Sequence, residues 1–178
     1  MTITKINWNS SSIRNAILLL IVVLFSSCKS TLFIEIKENE NAYLIRNNNS
    51  IGEVYKENFE TNEIDKSFKR FTPTILEVNQ AELILNKEFL NKIKREIDGK
   101  FIRKNLNNYK RQYLGYIDSN GDKIIFISFF LDKNIKKQDD QFWREEYRIM
   151  FDGGASFWVA EINLKTNKVK NIFVNGVA

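Results

Sequence analysis

The chain has 178 residues, with 27 Lys plus Arg, 22 Asp plus Glu, a single cysteine and no histidine. The missing imidazole removes the usual catalytic base and the commonest metal ligand, which excludes Ser-His-Asp and Cys-His catalysis and zinc sites built from Cys and His. Fourteen Phe, six Tyr and three Trp supply large apolar side chains, so a packed core is expected rather than disorder.

The first element is an apolar run, Ala16 to Phe25. At ten residues it is half the length a bilayer-spanning helix needs, about 20 residues. Lys5 and Arg14 precede it, no Asp or Glu occurs before Glu35, and the small pair Ser26-Ser27 follows. A basic start, a short apolar middle and small residues before a cut site are the parts of an export signal. Residues 1–27 are therefore expected to be a signal peptide and residues 28–40 a tether, with a single domain over 41–178. Within the tether, Leu32, Phe33, Ile34 and Ile36 are apolar enough to start a strand.

Removal of residues 1–27 leaves 151 residues, 25 Lys plus Arg against 22 Asp plus Glu, a net charge of +3. That length suits one domain with a real core. The charge is too mild to call for nucleic acid, and export argues against such a partner. Apart from Cys28 there is no cysteine, so the domain carries no disulfide.

Two short strands are predicted at 43–45 and 51–55, joined by the polar turn Asn47-Asn48-Asn49-Ser50. Residues 58–69 are polar and ambiguous. A helix then starts near Pro73, the one proline, with Thr74 and Glu77 forming a Thr-x-x-Glu capping box. Val78, Ala81, Leu85, Phe89 and Ile93 recur at helical spacing, so one stripe faces a core. Gly99 is expected to stop this helix. After a linker at 105–108 the period changes to two. Strands are expected at 109–117 and 123–131, joined by Asp118-Ser119-Asn120-Gly121-Asp122, with the second nearly continuous in apolar residues and therefore central. A polar loop over 132–141 leads to strands at 143–151 and 157–164 around Asp152-Gly153-Gly154. Thr166-Asn167 turns the chain into a last strand at 169–174. The expected class is α+β: one main helix packed on a curved antiparallel sheet of four to six strands, the plan of cystatin-like and NTF2-like proteins. That likeness of element order carries no function.

Phe25-Ser26-Ser27-Cys28 resembles a lipobox, the motif read by bacterial lipoprotein-processing enzymes. It departs from the commoner pattern in having Phe25 where Leu is usual; such aromatic-Ser-Ser-Cys boxes occur in lipoproteins of the Bacteroidota. The resemblance implies that Cys28 is the lipid-attachment residue, its sulfur carrying diacylglycerol and its freed amine a further acyl chain such as palmitate. Each buried methylene contributes about 0.8 kcal/mol, so two or three chains hold a domain at a membrane where one would not. Lys29 follows with no acidic cluster, which by analogy places the protein at the outer membrane facing the periplasm. The stretches "FDGGASFWVAEINL" and "FVNGVA" resemble the carboxyl-terminal strands of small uncharacterised lipoproteins from Bacteroidota. "FTPT" and "YLGYIDSNGDKIIFI" add to that likeness, which transfers no activity.

Candidate chemistry is sparse. Glu145 and Glu146 are adjacent on an expected strand and point to opposite faces, so they cannot share one glycosidic bond. Asp118, Asn120 and Asp122 lack the glycine and acid spacing of an EF-hand loop. Gly153-Gly154 offers backbone N–H groups to an anion or, more simply, a turn. Lys87 to Arg111 holds nine Lys or Arg against three acids and reads as a solvated face. Trp143, Trp158, Tyr113 and Tyr116 are the candidates for a ligand pocket. No catalytic residue, metal site or cofactor is assigned. The expectation is a non-catalytic binding module in the cell envelope, held to the membrane by its lipid and meeting a protein or envelope component. The alternative is an inhibitor or immunity-type protein that occludes an enzyme or toxin.

Overall fold

The structure, a computed structural model, describes residues 32–92, 99–131, 147 and 153–176. Three short strands come first: β1 (Ile34–Glu38), β2 (Ala42–Arg46) and β3 (Ile51–Tyr55). They form an antiparallel meander. Its second turn is built as the asparagine cluster dictates: Asn47 Oδ1 accepts from the N–H groups of Asn49 (2.9 Å) and Ser50 (2.7 Å), the side-chain mimic of a backbone turn.

A three-residue strand, β4 (Lys69–Phe71), leads into the helix α1 (Ile75–Lys92). The capping box is formed. Thr74 N–H donates to Glu77 Oε2 at 2.8 Å, and Glu77 N–H donates to Thr74 Oγ1 at 3.3 Å. The expected apolar stripe is buried as far as the helix is described, with Val78, Ala81, Leu85 and Phe89 all in the core; Ile93 lies outside the described residues. Gly99 does not end a helix. It is the first residue of a second, shorter one, α2 (Gly99–Asn105), and is buried there. A glycine's lack of a side chain serves close packing as readily as termination. One 3₁₀ turn, Leu106–Asn108, follows where a linker was expected.

The remaining strands are β5 (Tyr109–Ile117), β6 (Lys123–Leu131), β7 (Phe157–Asn163) and β8 (Lys168–Val174), a second antiparallel meander. Gly121 supplies the positive φ (76°) of the β5–β6 turn and Asn167 (φ 53°) that of the β7–β8 turn. Before β7 the chain passes through Gly153 (φ 111°) and Gly154 (φ 53°) into a 3₁₀ turn, Gly154–Ser156. The strand expected over 143–151 lies outside the described residues, apart from Tyr147.

All eight strands among the described residues join one sheet, in the order β1-β2-β3-β5-β6-β7-β8, with β4 also paired to β5. The class is α+β, but the sheet exceeds the four to six strands expected. It is also not wholly antiparallel, since β3 runs parallel to β5, pairing Glu53 with Gln112 and Val54 with Tyr113. Local hairpin signals report each meander. They do not report a pairing whose connection runs through β4 and both helices, and that pairing merges the meanders. The apolar β6 is central as expected, flanked by β5 and β7. β1 lies inside the stretch expected to be a tether, and every one of its residues is exposed.

Alternation divides the sheet into two faces. Tyr113, Ile125, Ile127, Phe129, Trp158, Ala160 and Ile162 pack with α1 in the main core. The opposite face carries Leu114, Tyr116, Ile124 and Phe126, and the segment between β3 and β4 lays Phe59, Ile64 and Phe68 on it.

Candidate functional site

The helix-side face holds two of the four aromatic candidates, and both are core. Trp158 is fully buried and stacks on Phe129 with ring centroids 3.7 Å apart; Phe89 and Tyr109 close the cage at 5.2 and 5.9 Å. Tyr113 is equally buried, and its hydroxyl donates to Glu82 Oε1 at 2.8 Å. Burial, then the Glu82 carboxylate, pushes that phenol well above its ordinary range. The same Oε1 lies 3.0 Å from Arg111 Nε. Arg111 also donates to the carbonyls of Tyr109 (2.9 Å) and Leu106 (3.2 Å) and lies over the rings of Phe129 and Phe33. Glu82 and Arg111 therefore form a buried ion pair, with Arg111 Nη1 and Nη2 each donating to a backbone carbonyl.

The other face carries a polar row that the sequence reading did not single out. Glu53, Gln112 and Ser128 are register partners across β3, β5 and β6. All three are buried, as is Lys110 on the same face. Tyr55 hydroxyl donates to Glu53 Oε2 at 2.9 Å and accepts from Gln112 Nε2 at 2.8 Å. Ser128 Oγ shares a short hydrogen bond with the Tyr147 hydroxyl. Burial, reinforced at Tyr55 by the charge of Glu53, drives both phenols far above their usual range. A signal for this row exists in the sequence: Glu53 interrupts the Ile51, Tyr55 face of β3, and Ser128 is a lone hydroxyl inside "IIFISFFL".

Farther along this face lies an open groove. Tyr116, the third candidate, donates its hydroxyl to Glu161 Oε1 at 2.6 Å. Glu161 Oε2 accepts from Asn171 Nδ2 at 2.5 Å. Phe126, Val159, Glu161, Asn171, Ile172 and Phe173 line a concavity of about 390 Å³ beside these groups. Its outer wall is β8, which pairs only with β7 among the described residues. Phe173 stands there 62% exposed. The groove thus combines an apolar floor, a carboxylate fixed on both oxygens, and a strand edge. Trp143, the fourth aromatic candidate, lies outside the described residues, as does Cys28. Tyr113 and Trp158 share one core, Tyr116 is on the other side of the sheet, and the three line no common cavity.

Of the remaining motifs, Glu145, Glu146, Asp152 and the 132–141 loop lie outside the described residues. Asp118 Oδ1 accepts from the N–H groups of Asn120 and Asp122, at 2.9 and 3.1 Å, closing the β5–β6 turn. Lys165 lies 2.6 Å from Asp122, and Lys170 lies 3.4 Å from Asp118. No three metal-capable side chains converge among the described residues. Gly154 N–H donates to the Gly176 carbonyl at 3.0 Å. A second concavity, about 340 Å³, lies within the β3–β4 segment. Arg70 braces that segment from inside through the carbonyls of Gly115, Phe59 and Lys56.

No family model, curated protein or solved structure matches the chain. No helix among the described residues is long and apolar enough to cross a membrane.

Proposed function

We propose that this chain is a lipid-anchored protein of the bacterial envelope, tethered through Cys28 at the periplasmic face of the outer membrane. Its domain is a non-catalytic module that binds a protein or envelope component in the groove at β6, β7 and β8. The observation that carries the binding site is Phe173, a large apolar side chain left mostly in water beside a carboxylate held in place by Tyr116 and Asn171. An exposed aromatic next to fixed polar groups suits recognition, because ring burial supplies affinity and the oriented carboxylate supplies selectivity. Among the described residues β8 pairs only with β7, and its outer side offers backbone groups to an extended segment of a partner.

A photo-crosslinking residue at position 173, introduced into the full chain in cells, tests the site. A discrete adduct is expected, and Glu161→Ala should reduce its yield several-fold. A control crosslinker at Lys66, on the β3–β4 segment, should not form it. Equal adducts from positions 173 and 66, or none from 173, would remove the groove from consideration.

A further inference from the structure

The chain enters the domain alongside α1. Asn79 Oδ1 accepts from Phe33 N–H at 2.7 Å, and Asn79 Nδ2 donates to the Phe33 carbonyl at 3.1 Å, both buried. One helix side chain thus fixes the backbone where the domain starts. Only four residues separate Phe33 from Cys28. Fully extended, that connection spans about 17 Å, less than the roughly 27 Å length of an 18-residue helix. A domain held this closely stays near the surface that anchors it.

Exposed apolar side chains lie next to this entry point. Leu76 and Leu83 are 77% and 57% exposed. Seven residues apart, they share one stripe of α1, on the side away from the buried Val78, Ala81 and Leu85. Asn79 sits three residues after the first and four before the second, so both leucines flank the clamp. Leu32, next to the clamped Phe33, is 47% exposed. Lys87 continues the stripe at the next turn and is exposed, and no acid occurs on it.

We propose that the outer stripe of α1, with Leu32, docks on the lipid bilayer that holds Cys28. The inference rests on the lipid-anchor reading. The leucines are too few to bind a membrane alone, but an anchored domain meets the surface at high effective concentration, so a small apolar contact decides orientation. Lys87 suits the phosphate zone, and no carboxylate on the stripe opposes it. The result orders the whole molecule. The groove at Glu161 and Phe173 lies on the sheet face opposite α1, so docking the helix turns the groove away from the membrane, toward soluble or envelope partners.

The test uses the full chain, purified from membranes with its own lipid and reconstituted in phosphatidylethanolamine–phosphatidylglycerol vesicles. With Cys28 blocked by its lipid, Asn86→Cys gives one reactive thiol beside the stripe for an environment-sensitive fluorophore. Lys66→Cys is the control on the opposite face. The label at 86 is expected to shift blue and to be quenched by nitroxide-bearing lipids several-fold more than the label at 66. Leu76→Asp with Leu83→Asp should abolish that difference while the protein stays on the vesicles. If the lipidated protein is held on vesicles and the two labels are equally wet, the docking proposal is overturned and the anchor stands. If the purified chain carries no lipid, the anchor reading falls and the docking proposal falls with it.

Discussion

The carboxamide of Asn79 binds both backbone polar groups of Phe33, so a helix side chain does for the chain entrance what a neighbouring strand would do. Without it, the buried N–H and C=O of Phe33 lose these two bonds. Asn79→Ala is therefore expected to cost about 1–3 kcal/mol of stability, the penalty of leaving buried groups unsatisfied. Urea denaturation of wild type and variant measures it. Unchanged stability would mean that the entrance is held by other contacts.

Glu82 and Arg111 form the buried charge pair of the main core, with side chains 10% and 4% exposed. Removing one partner strands the other charge in low dielectric. Glu82→Ala is expected to destabilise by about 3–5 kcal/mol. The double variant Glu82→Leu, Arg111→Met should recover much of that loss, because apolar residues of similar volume need no compensating charge. A double-mutant cycle with no coupling between the two positions would contradict the pairing.

Gly115 faces Phe71 across the β4–β5 pair. A Cβ at this position would lie 2.6 Å from the Phe71 carbonyl oxygen and 2.9 Å from its ring. Gly115→Ala should therefore force β4 off the sheet edge, costing about 1–3 kcal/mol by overpacking. Thermal denaturation reads this directly. Gly121→Ala is the contrasting case, with open space for the methyl but a positive φ to maintain.

Much of the local structure is legible in the residues themselves. The Thr74–Glu77 box, the buried stripe from Val78 to Phe89, the asparagine turn before β3 and the centrality of β6 all follow from local chemistry, and local chemistry is what a sequence displays. The parallel β3–β5 pairing is not displayed, since it depends on how two meanders meet across both helices. Gly99 misleads for a related reason: the same residue type ends one helix or opens another, according to what packs against it. Among the site residues, Tyr116 is a candidate by type. Its partner Glu161, and Asn171 that holds Glu161 in turn, are not, because Glu161 lies 45 positions from Tyr116 and the three meet only through sheet register. Tyr113 and Trp158 show the opposite case. Large aromatics suit pockets and cores alike, and here the helix covers them.

Stability should fall in acid. Interactions hold Glu77, Asp118 and Asp122 below their ordinary values. At Glu77 and Asp118 burial acts against the shift, but hydrogen bonds and a lysine overcome it; at Asp122 the bonds from Lys165 and Asn163 dominate. A carboxylate depressed in the folded state contributes stability that is present above its unfolded value and lost as pH falls through its folded value. Those unfolded values are 3.8 for Asp and 4.5 for Glu. Glu63, raised by burial, works in the opposite sense. With no histidine in the chain, no imidazole titrates on unfolding near neutrality. The urea midpoint should thus stay nearly level from pH 6 to 8 and drop below about pH 4. Asp122→Asn should flatten the drop. A midpoint that rises on acidification would contradict this assignment.

The proposed lipid at Cys28 would set the compartment, the orientation and the class of partner. Intact-mass spectrometry of the protein isolated from its native membrane tests this most directly. The predicted result is a chain beginning at Cys28 whose mass carries diacylglycerol and an added acyl group. A species that begins at Met1, or one with a free Cys28 thiol, would contradict it.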